Sequence, residues 1–515
     1  MTPLPARRVE SLRDLDAIAF ENTFVRELPG DPVAANVPRQ VANACYTRVN
    51  PTPVAAPRLL AWSEDLASFL GVSRPGSEQL VQVLSGNRML SGMEPYAARY
   101  GGHQFGNWAG QLGDGRAITL GEMIATDGSR QELQLKGAGL TPYSRTADGR
   151  AVLRSSLREF LCSEAMSWLG VPTTRALSLA GTGEAVIRDM FYDGNPRPEP
   201  GAIVCRVAPS FVRFGSFQVM EPEILKQLSS YVIRHHFAGK STIEWFHEVC
   251  RRTGALMADW MRLGFVHGVM NTDNMSVLGV TIDYGPYGWL EGYDPAWTPN
   301  TTDAQGRRYC YGNQPYIAQW NLARFAEALL PLIPEVPALE EGLKIYADAF
   351  QAAWQRALAQ KVGLVALDDE LAKELFEALG EAETDFTIFF RSLANLPLDG
   401  NDVLSPLKNS FYEETRRPRL EAWLRSYLER VKQEGVALHT RVERMNAANP
   451  KYVFRNYLAV QAIDAIENGD ASVLERLMRA LARPYDEQPE HHDLAARRPE
   501  WARHKAGCSA LSCSS

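Results

Sequence analysis

The sequence predicts an α+β chain, with a smaller sheet-rich part followed by a larger, mainly helical one. Three observations predict it. Tyr100 to Gly149 is dense in glycine and carries strand-like runs. A helical pattern follows from about Arg150 to Leu169, and from Pro222 onward long amphipathic stretches dominate.

The elements follow in order. Up to about residue 100 the chain reads as loop-rich, with many prolines before Leu59 and one amphipathic segment, Leu59 to Leu70. Ala117 to Leu120 and Glu132 to Lys136 read as strands; in the second, Leu133 and Leu135 fall on one face and Gln134 and Lys136 on the other. The helix that follows repeats Leu153, Leu157, Phe160, Leu161, Ala165 and Trp168 at helical spacing, and Gly170 with Pro172 ends it. Strand candidates come next at Ala176 to Leu179, Ala185 to Arg188 and Ala202 to Ala208. Helical patterns cover about 222–237, 241–263, 314–333, 337–362, 368–379 and 412–434. A β-branched run, Ser276 to Ile282, interrupts them, and Tyr485 to Ser515 is polar and expected to be weakly ordered. The expected division is an N-terminal extension at 1–99, a sheet-rich lobe at 100–220, a helical lobe at 221–450, and a C-terminal helical extension with a cysteine-containing tail at 451–515.

Composition narrows the function. A chain of 515 residues is long enough for a large core. A net charge of −7 and a pI near 5.8 argue against nucleic acid as a partner. No stretch approaches the ~20 apolar residues of a membrane span, and Met1 to Asp16 has no apolar signal core, so a cytoplasmic protein is expected. The seven cysteines show no zinc-like spacing. Cys508 and Cys513 fall in a small, polar terminus, where exposed thiols and a reversible disulfide are expected.

The chemistry concentrates in His267 to Asn274, with Asp283-Tyr-Gly285 nine residues after Asn274. A kinase catalytic loop reads H-x-D-x-x-x-x-N, its Asp positioning the nucleophile and its Asn binding metal. His267 and Asn274 keep that spacing, but Val269 stands at the Asp position and has no proton-accepting atom. Asp273, beside Asn274, is the nearby carboxylate available as a base. Asn274 and Asp283 match the kinase metal pair, hard oxygen donors suited to Mg²⁺. Lys136 at the end of a strand and Glu159 on the next helix match the kinase device that holds ATP phosphates. The Gly113-Asp-Gly115-Arg116 run lets backbone amides approach phosphate and adds a charge, although alone it reads as a turn. Asp148-Gly149 reads as a helix N-cap and turn whose positive end would face phosphate. Arg206 and Arg213 are ordinary surface arginines by themselves, and a bidentate phosphate clamp if they face the nucleotide.

Four stretches carry a resemblance: Tyr100 to Arg116, Leu133 to Arg145, Arg154 to Phe160 and His267 to Asn274. They resemble the Selenoprotein O (SelO/YdiU) family over nearly the whole chain. The resemblance implies a bilobal protein-kinase-like fold that transfers AMP from ATP to protein hydroxyls, with the nucleotide flipped relative to ordinary kinases. It implies that Gly113, Gly115, Arg116, Lys136, Asp148, Gly149, Arg206, Arg213 and Asp283 contact ATP, with Glu159 pairing Lys136. It also implies Asp273 as general base and Asn274 with Asp283 as ligands of Mg²⁺ or Mn²⁺. Some bacterial members tie a tail cysteine to one past the metal loop; by that analogy Cys508 or Cys513 would pair with Cys310. Two alternatives stay open at this point: UMP transfer from UTP with Mn²⁺, and a silent nucleotide-binding pseudokinase scaffold, which Val269 favours.

Overall fold

The computed structural model describes residues 13, 17–76, 78–190, 193–508 and 510–512. Seven strands form one antiparallel sheet. In chain order the strands of the sheet-rich part are β1 (Tyr46–Arg48), β2 (Arg58–Trp62), β3 (Tyr96–Ala98), β4 (Gly101–Gln104), β5 (Asn107–Gln111), β6 (Ala117–Ile124), β7 (Arg130–Lys136), β8 (Arg175–Arg188) and β9 (Arg197–Ala208). The sheet runs β1-β3-β6-β7-β9-β8-β2, and β4 and β5 form a separate hairpin. The stretch expected to be a loop-rich extension thus supplies three of the seven strands. The amphipathic segment expected at Leu59 to Leu70 is in fact strand β2 followed by a short helix that begins at Glu64. Ser63 makes the break: its side chain caps the helix by accepting from the Leu66 N–H.

The alternation read in β7 positions the site. Leu133 and Leu135 are buried in a core cluster on one face of the sheet. Gln134 pairs across the ladder with Arg206 of β9, and Lys136 with Val204, so these polar groups share the other face. Strands β8 and β9 are each longer than expected, and β8 merges two predicted strands through irregularities in its register.

The helices of this part are α1 (Thr23–Glu27), α2 (Glu64–Leu70), α3 (Glu78–Leu84) and α4 (Leu153–Trp168). Leu157, Phe160 and Leu161 of α4 pack into the largest core cluster. Gly170, at φ 79°, adopts the left-handed conformation that closes the helix.

Beyond Phe211 the chain is helical: α5 (Phe214–Gln218), α6 (Pro222–His236), α7 (Thr242–Leu263), α8 (Gln314–Leu329) and α9 (Val336–Val362). Then come α10 (Asp369–Gly380), α11 (Phe386–Leu393), α12 (Pro418–Glu434), α13 (Leu438–Ala448), α14 (Asn456–Glu467) and α15 (Ser472–Leu481). α7 starts with a full capping box, Ser241 with Glu244, and stops at Gly264. Two further short strands, β10 (Phe265–Val266) and β11 (Gly288–Trp289), pair antiparallel and bracket the loop from His267 to Tyr287. No helix among the described residues is long and apolar enough to cross a membrane.

The tail departs from expectation. Residues past Tyr485 form two short 3₁₀ turns, and Cys508 and Leu511 are buried. The Leu511 carbonyl accepts from the Thr301 N–H at 2.7 Å and Asn456 donates to the Cys508 carbonyl at 2.8 Å, so the segment is tied to the helical lobe. Burial pushes the Cys508 thiol up to about 11, the opposite of an exposed reactive thiol. Cys310 is likewise buried and its thiol raised by burial. Cys513 lies outside the described residues.

Candidate active site

A cavity of about 710 Å³ opens between the sheet and the β10–β11 loop. Gly113, Gly115, Arg116, Lys136, Asp148, Gly149, Glu159, Arg206, Asn274 and Asp283 all line it. Its volume is that of a nucleotide-sized pocket.

The charges are organised around two carboxylates. Lys136 Nζ lies 2.7 Å from Glu159 Oε2, joining strand to helix. Arg206 takes the other Glu159 oxygen at 3.0 Å and reaches Asp283 Oδ1 at 2.5 Å with the same nitrogen. The remaining Asp283 oxygen pairs with Arg213. Burial alone would raise the Asp283 carboxyl; Arg213, Arg206 and Lys136 overcome it and hold the group well below the usual carboxylate range. Burial lowers the Lys136 ammonium against the pull of Glu159. Asp283 sits at φ 57°, a left-handed conformation uncommon for a non-glycine residue, and this aims its carboxylate back at the sheet.

Arg213 is fully buried behind the cavity, not on its wall. It stacks on Tyr100 at 4.5 Å and donates to the Asp273 backbone carbonyl at 2.8 Å. Its position braces Asp283 and the Asp273 backbone from behind. Arg116 lines the cavity with no ion-pair partner among the described residues, so its charge is available to a ligand.

The catalytic loop is pinned from several sides. His267 stacks on Trp260 with centroids 5.2 Å apart and its Nε2–H donates to the Ile282 carbonyl at 2.9 Å. Asn321 donates to the Met270 carbonyl at 2.9 Å, and Asn271 Oδ1 accepts from the Tyr309 hydroxyl at 2.6 Å. Residues Thr272–Asn274 form a 3₁₀ turn. Asn274 spends its Nδ2 on the Val269 carbonyl at 2.8 Å, which leaves its Oδ1 without a partner among the described residues, in the cavity that Asp283 also lines. Hard oxygens from one amide and one carboxylate, completed by phosphate oxygens and water, are a Mg²⁺-type set. The donor chemistry fits the ion; both Asp283 oxygens already accept from arginine, yet each keeps a further lone pair.

Asp273 stands apart from the cavity wall and is only 7 % exposed. Its Oδ2 accepts from Gln104 Nε2 at 3.2 Å, while Oδ1 is buried with no hydrogen-bond partner among the described residues. Burial pushes the carboxyl up to about 6. Gly102 of the β4–β5 hairpin lies directly against it; a Cβ there would sit 2.4 Å from Oδ1.

One sequence expectation changes here. Asp148-Gly149 is not a helix cap: α4 begins at Leu153, with Val152 at the cap. Instead Asp148 pairs with Arg188 at 2.7 Å, and Gly149, at φ 71°, passes so close to Gly139 that a Cβ would fall 2.1 Å from its carbonyl oxygen. The Gly113–Gly115 turn is anchored inward by Asp114, whose Oδ2 accepts from the Ala98 N–H at 3.1 Å and from Gln134 at 3.3 Å. Gln134, Arg188 and Gln104 were missed. The alternation of β7, which puts Gln134 on the Lys136 face, was signal enough for the first; the other two depend on partners distant in sequence.

A lysine–glutamate pair joining sheet to helix, an asparagine and an aspartate at kinase spacing, and Val269 at the usual base position make a kinase-like arrangement of residues around a nucleotide-sized cavity. The chain belongs to the SelO family: the profile described as "Protein adenylyltransferase SelO" matches residues 35–482. It is 61 % identical to the "Protein nucleotidyltransferase YdiU" of Nitrosospira multiformis over 98 % of both chains. It is 57 % identical to the protein of that name from Azoarcus sp. over 97 % of this chain and 99 % of that one. The Xanthomonas campestris protein of that name is 56 % identical, again over 97 % and 99 %. Among solved structures, ROP2 from Toxoplasma gondii, described as having a protein-kinase fold and no enzymatic activity, aligns at 12 % identity over 56 % of this chain and 83 % of that one. Its TM-score is 0.23, a superposition too loose to carry an argument.

Proposed function

We propose that the chain transfers AMP from ATP to the hydroxyl of a Ser, Thr or Tyr side chain on a protein, with pyrophosphate as the leaving group. The observation that carries this reading is Asp273: a buried carboxylate with one unpartnered oxygen, raised to about 6, beside Asn274 and in a loop whose kinase base position is Val269. A group with that affinity is ionised at neutral pH and still basic enough to take a proton.

In the proposed step the acceptor hydroxyl oxygen attacks the α-phosphorus. Asp273 takes the hydroxyl proton, the new O–P bond forms, and the bond from the α-phosphorus to the bridging oxygen breaks. The electron pair leaves with pyrophosphate. Arg116 and Lys136 face the cavity and would hold the phosphates in the flipped orientation that places the α-phosphate toward the acceptor. Asn274 and Asp283 would hold Mg²⁺ or Mn²⁺. When bound, that ion neutralises charge developing on the phosphate oxygens. Arg206 and Arg213 fix Asp283 for that task.

Mass spectrometry of the protein and of hydroxyl-bearing acceptor proteins, after incubation with ATP or UTP and either divalent ion, tests the reading. A covalent AMP adduct is the expected product. A UMP adduct only would assign the other nucleotide, and nucleotide-induced thermal stabilisation with no adduct would mark a silent scaffold.

A further inference from the structure

Asn274, the residue after Asp273, lines the cavity, and the β4–β5 hairpin packs against Asp273 itself. The hairpin is stitched to the catalytic loop: the His103 N–H donates to Thr272 Oγ1 at 2.7 Å and the Phe105 N–H to the Tyr309 hydroxyl at 2.9 Å. The hairpin and the segment that carries Tyr309 form the flank next to Asp273.

The surface of the flank has a defined chemistry. Trp108 of β5 is 48 % exposed and lies 5.0 Å from the His103 ring. His103 in turn meets Trp320 of α8 edge-on at 5.6 Å. The Arg308 guanidinium lies 4.6 Å over the Trp320 ring, beneath the Gly106 turn of the hairpin. Arg308 has no carboxylate within ion-pair distance among the described residues, and neither has its exposed neighbour Arg307. The acid next to them, Asp303, turns its two carboxylate oxygens to the Arg308 and Tyr309 backbone N–H groups, at 2.9 and 2.7 Å, and to neither guanidinium. On a chain of net charge −7, two guanidiniums with no ion pair among the described residues, beside the exposed Trp108 and the half-buried Trp320, make a local cationic, aromatic patch.

We infer that this patch, formed by Arg307 and Arg308 with Trp108 and Trp320, docks the acceptor polypeptide, and that it selects segments carrying Asp or Glu near the hydroxyl to be modified. The inference rests on the proposed transfer for its meaning, but its geometry stands apart from the nucleotide site. Arg308 precedes Tyr309, whose hydroxyl holds Asn271, two residues from Asp273. A carboxylate bound at Arg308 would therefore sit beside the segment that holds the catalytic loop. Stacking on Trp320 holds the planar guanidinium ready for bidentate pairing, which a lysine would not reproduce.

The test uses the full chain with ATP and Mg²⁺ and fluorescein-labelled peptides of one length, each with a central serine flanked by glutamates, alanines or lysines. Binding is read by anisotropy and transfer by α-labelled ATP. The glutamate peptide is expected to bind at least ~10-fold more tightly than the lysine peptide, the factor one charge-assisted contact supplies. Arg308→Glu should erase or invert that order while nucleotide affinity holds, and Arg308→Lys should keep only part of it. Equal affinity for the three peptides on the unaltered protein overturns the inference, whether or not the variant folds. So does a preference unchanged in a folded Arg308→Glu protein. A charge preference in binding with no transfer to any peptide would leave the docking surface standing and remove the proposed reaction.

Discussion

One nitrogen of Arg206 lies 2.5 Å from Asp283 Oδ1, and that same nitrogen is 3.0 Å from Glu159. Helix residue Glu159 is thereby coupled to Asp283 through a strand residue, and Glu159 carries two cations, Lys136 and Arg206. The two cations have different duties, and their removal should differ accordingly.

Lys136→Met leaves Glu159 paired to Arg206, so the fold should persist with a small change in unfolding free energy. Transfer should fall by about 10²-fold or more, the loss seen when one preorganised charge-stabilising donor is deleted. Urea unfolding and initial rates, measured together, check both halves.

Arg206→Met removes partners from Glu159, Asp283 and Gln134 at once inside the core. Breaking a buried ion pair costs about 3–5 kcal/mol, and this variant should fall in that range by urea unfolding. A cost no larger than that of Lys136→Met would contradict the assignment of Arg206 as the structural member.

Asp273 predicts a pH profile. With its carboxyl near 6, the base form is lost on acidification, so kcat/KM should drop about tenfold per pH unit below about 6. The stability consequence has the opposite direction from that of a salt-bridged aspartate. The folded value lies above the ordinary 3.8, so the fold favours the protonated form, and this group's contribution to stability declines as pH rises from about 4 to about 6. Asp273→Asn should therefore be inactive yet more stable at pH 7, by roughly 1–3 kcal/mol for a shift of about two pH units. Thermal melts at pH 5 and pH 7 separate the two proteins: the gain should shrink at the lower pH.

Gly102→Ala places a Cβ 2.4 Å from Asp273 Oδ1, so hairpin or carboxylate has to move. Because the neighbouring Gln104 also holds Asp273, the expected result is a drop in kcat of about tenfold or more, with ATP affinity retained. Nucleotide binding followed by fluorescence and steady-state rates distinguish this from general unfolding.

Cys508 should resist alkylation by iodoacetamide in the native protein and react only after denaturation, because its thiol is buried and raised to about 11. Peptide mapping after native and denatured labelling reads this directly.

The legibility of the chain followed the range of its interactions. Strand β7 and helix α4 were readable because alternation and helical spacing are local patterns, and the Lys136–Glu159 pairing came with them. The kinase spacing of His267, Asn274 and Asp283 likewise lies within one loop. Strands β1 and β2 carried almost no local signal: each is short, and its hydrogen-bond partner is remote, Tyr96–Ala98 for β1 and the region Ser178–Gly181 for β2. The role of Gly102 and Gln104 was hidden for the same reason, since both act on Asp273 across more than 160 residues. The tail was misread because polar composition suggested disorder, whereas the buried side chains of Cys508 and Leu511 and the backbone pairing to Thr301 hold it in place.

In the proposed reaction Asp273 drives transfer of a nucleotidyl group, not a phosphoryl group. Parallel reactions with α-labelled and γ-labelled ATP, on the unaltered protein and on Asp273→Asn, test it most directly. The account predicts α-label on protein, γ-label in pyrophosphate, and no protein label in the variant. Retention of γ-label on protein, or α-label undiminished in Asp273→Asn, would contradict it.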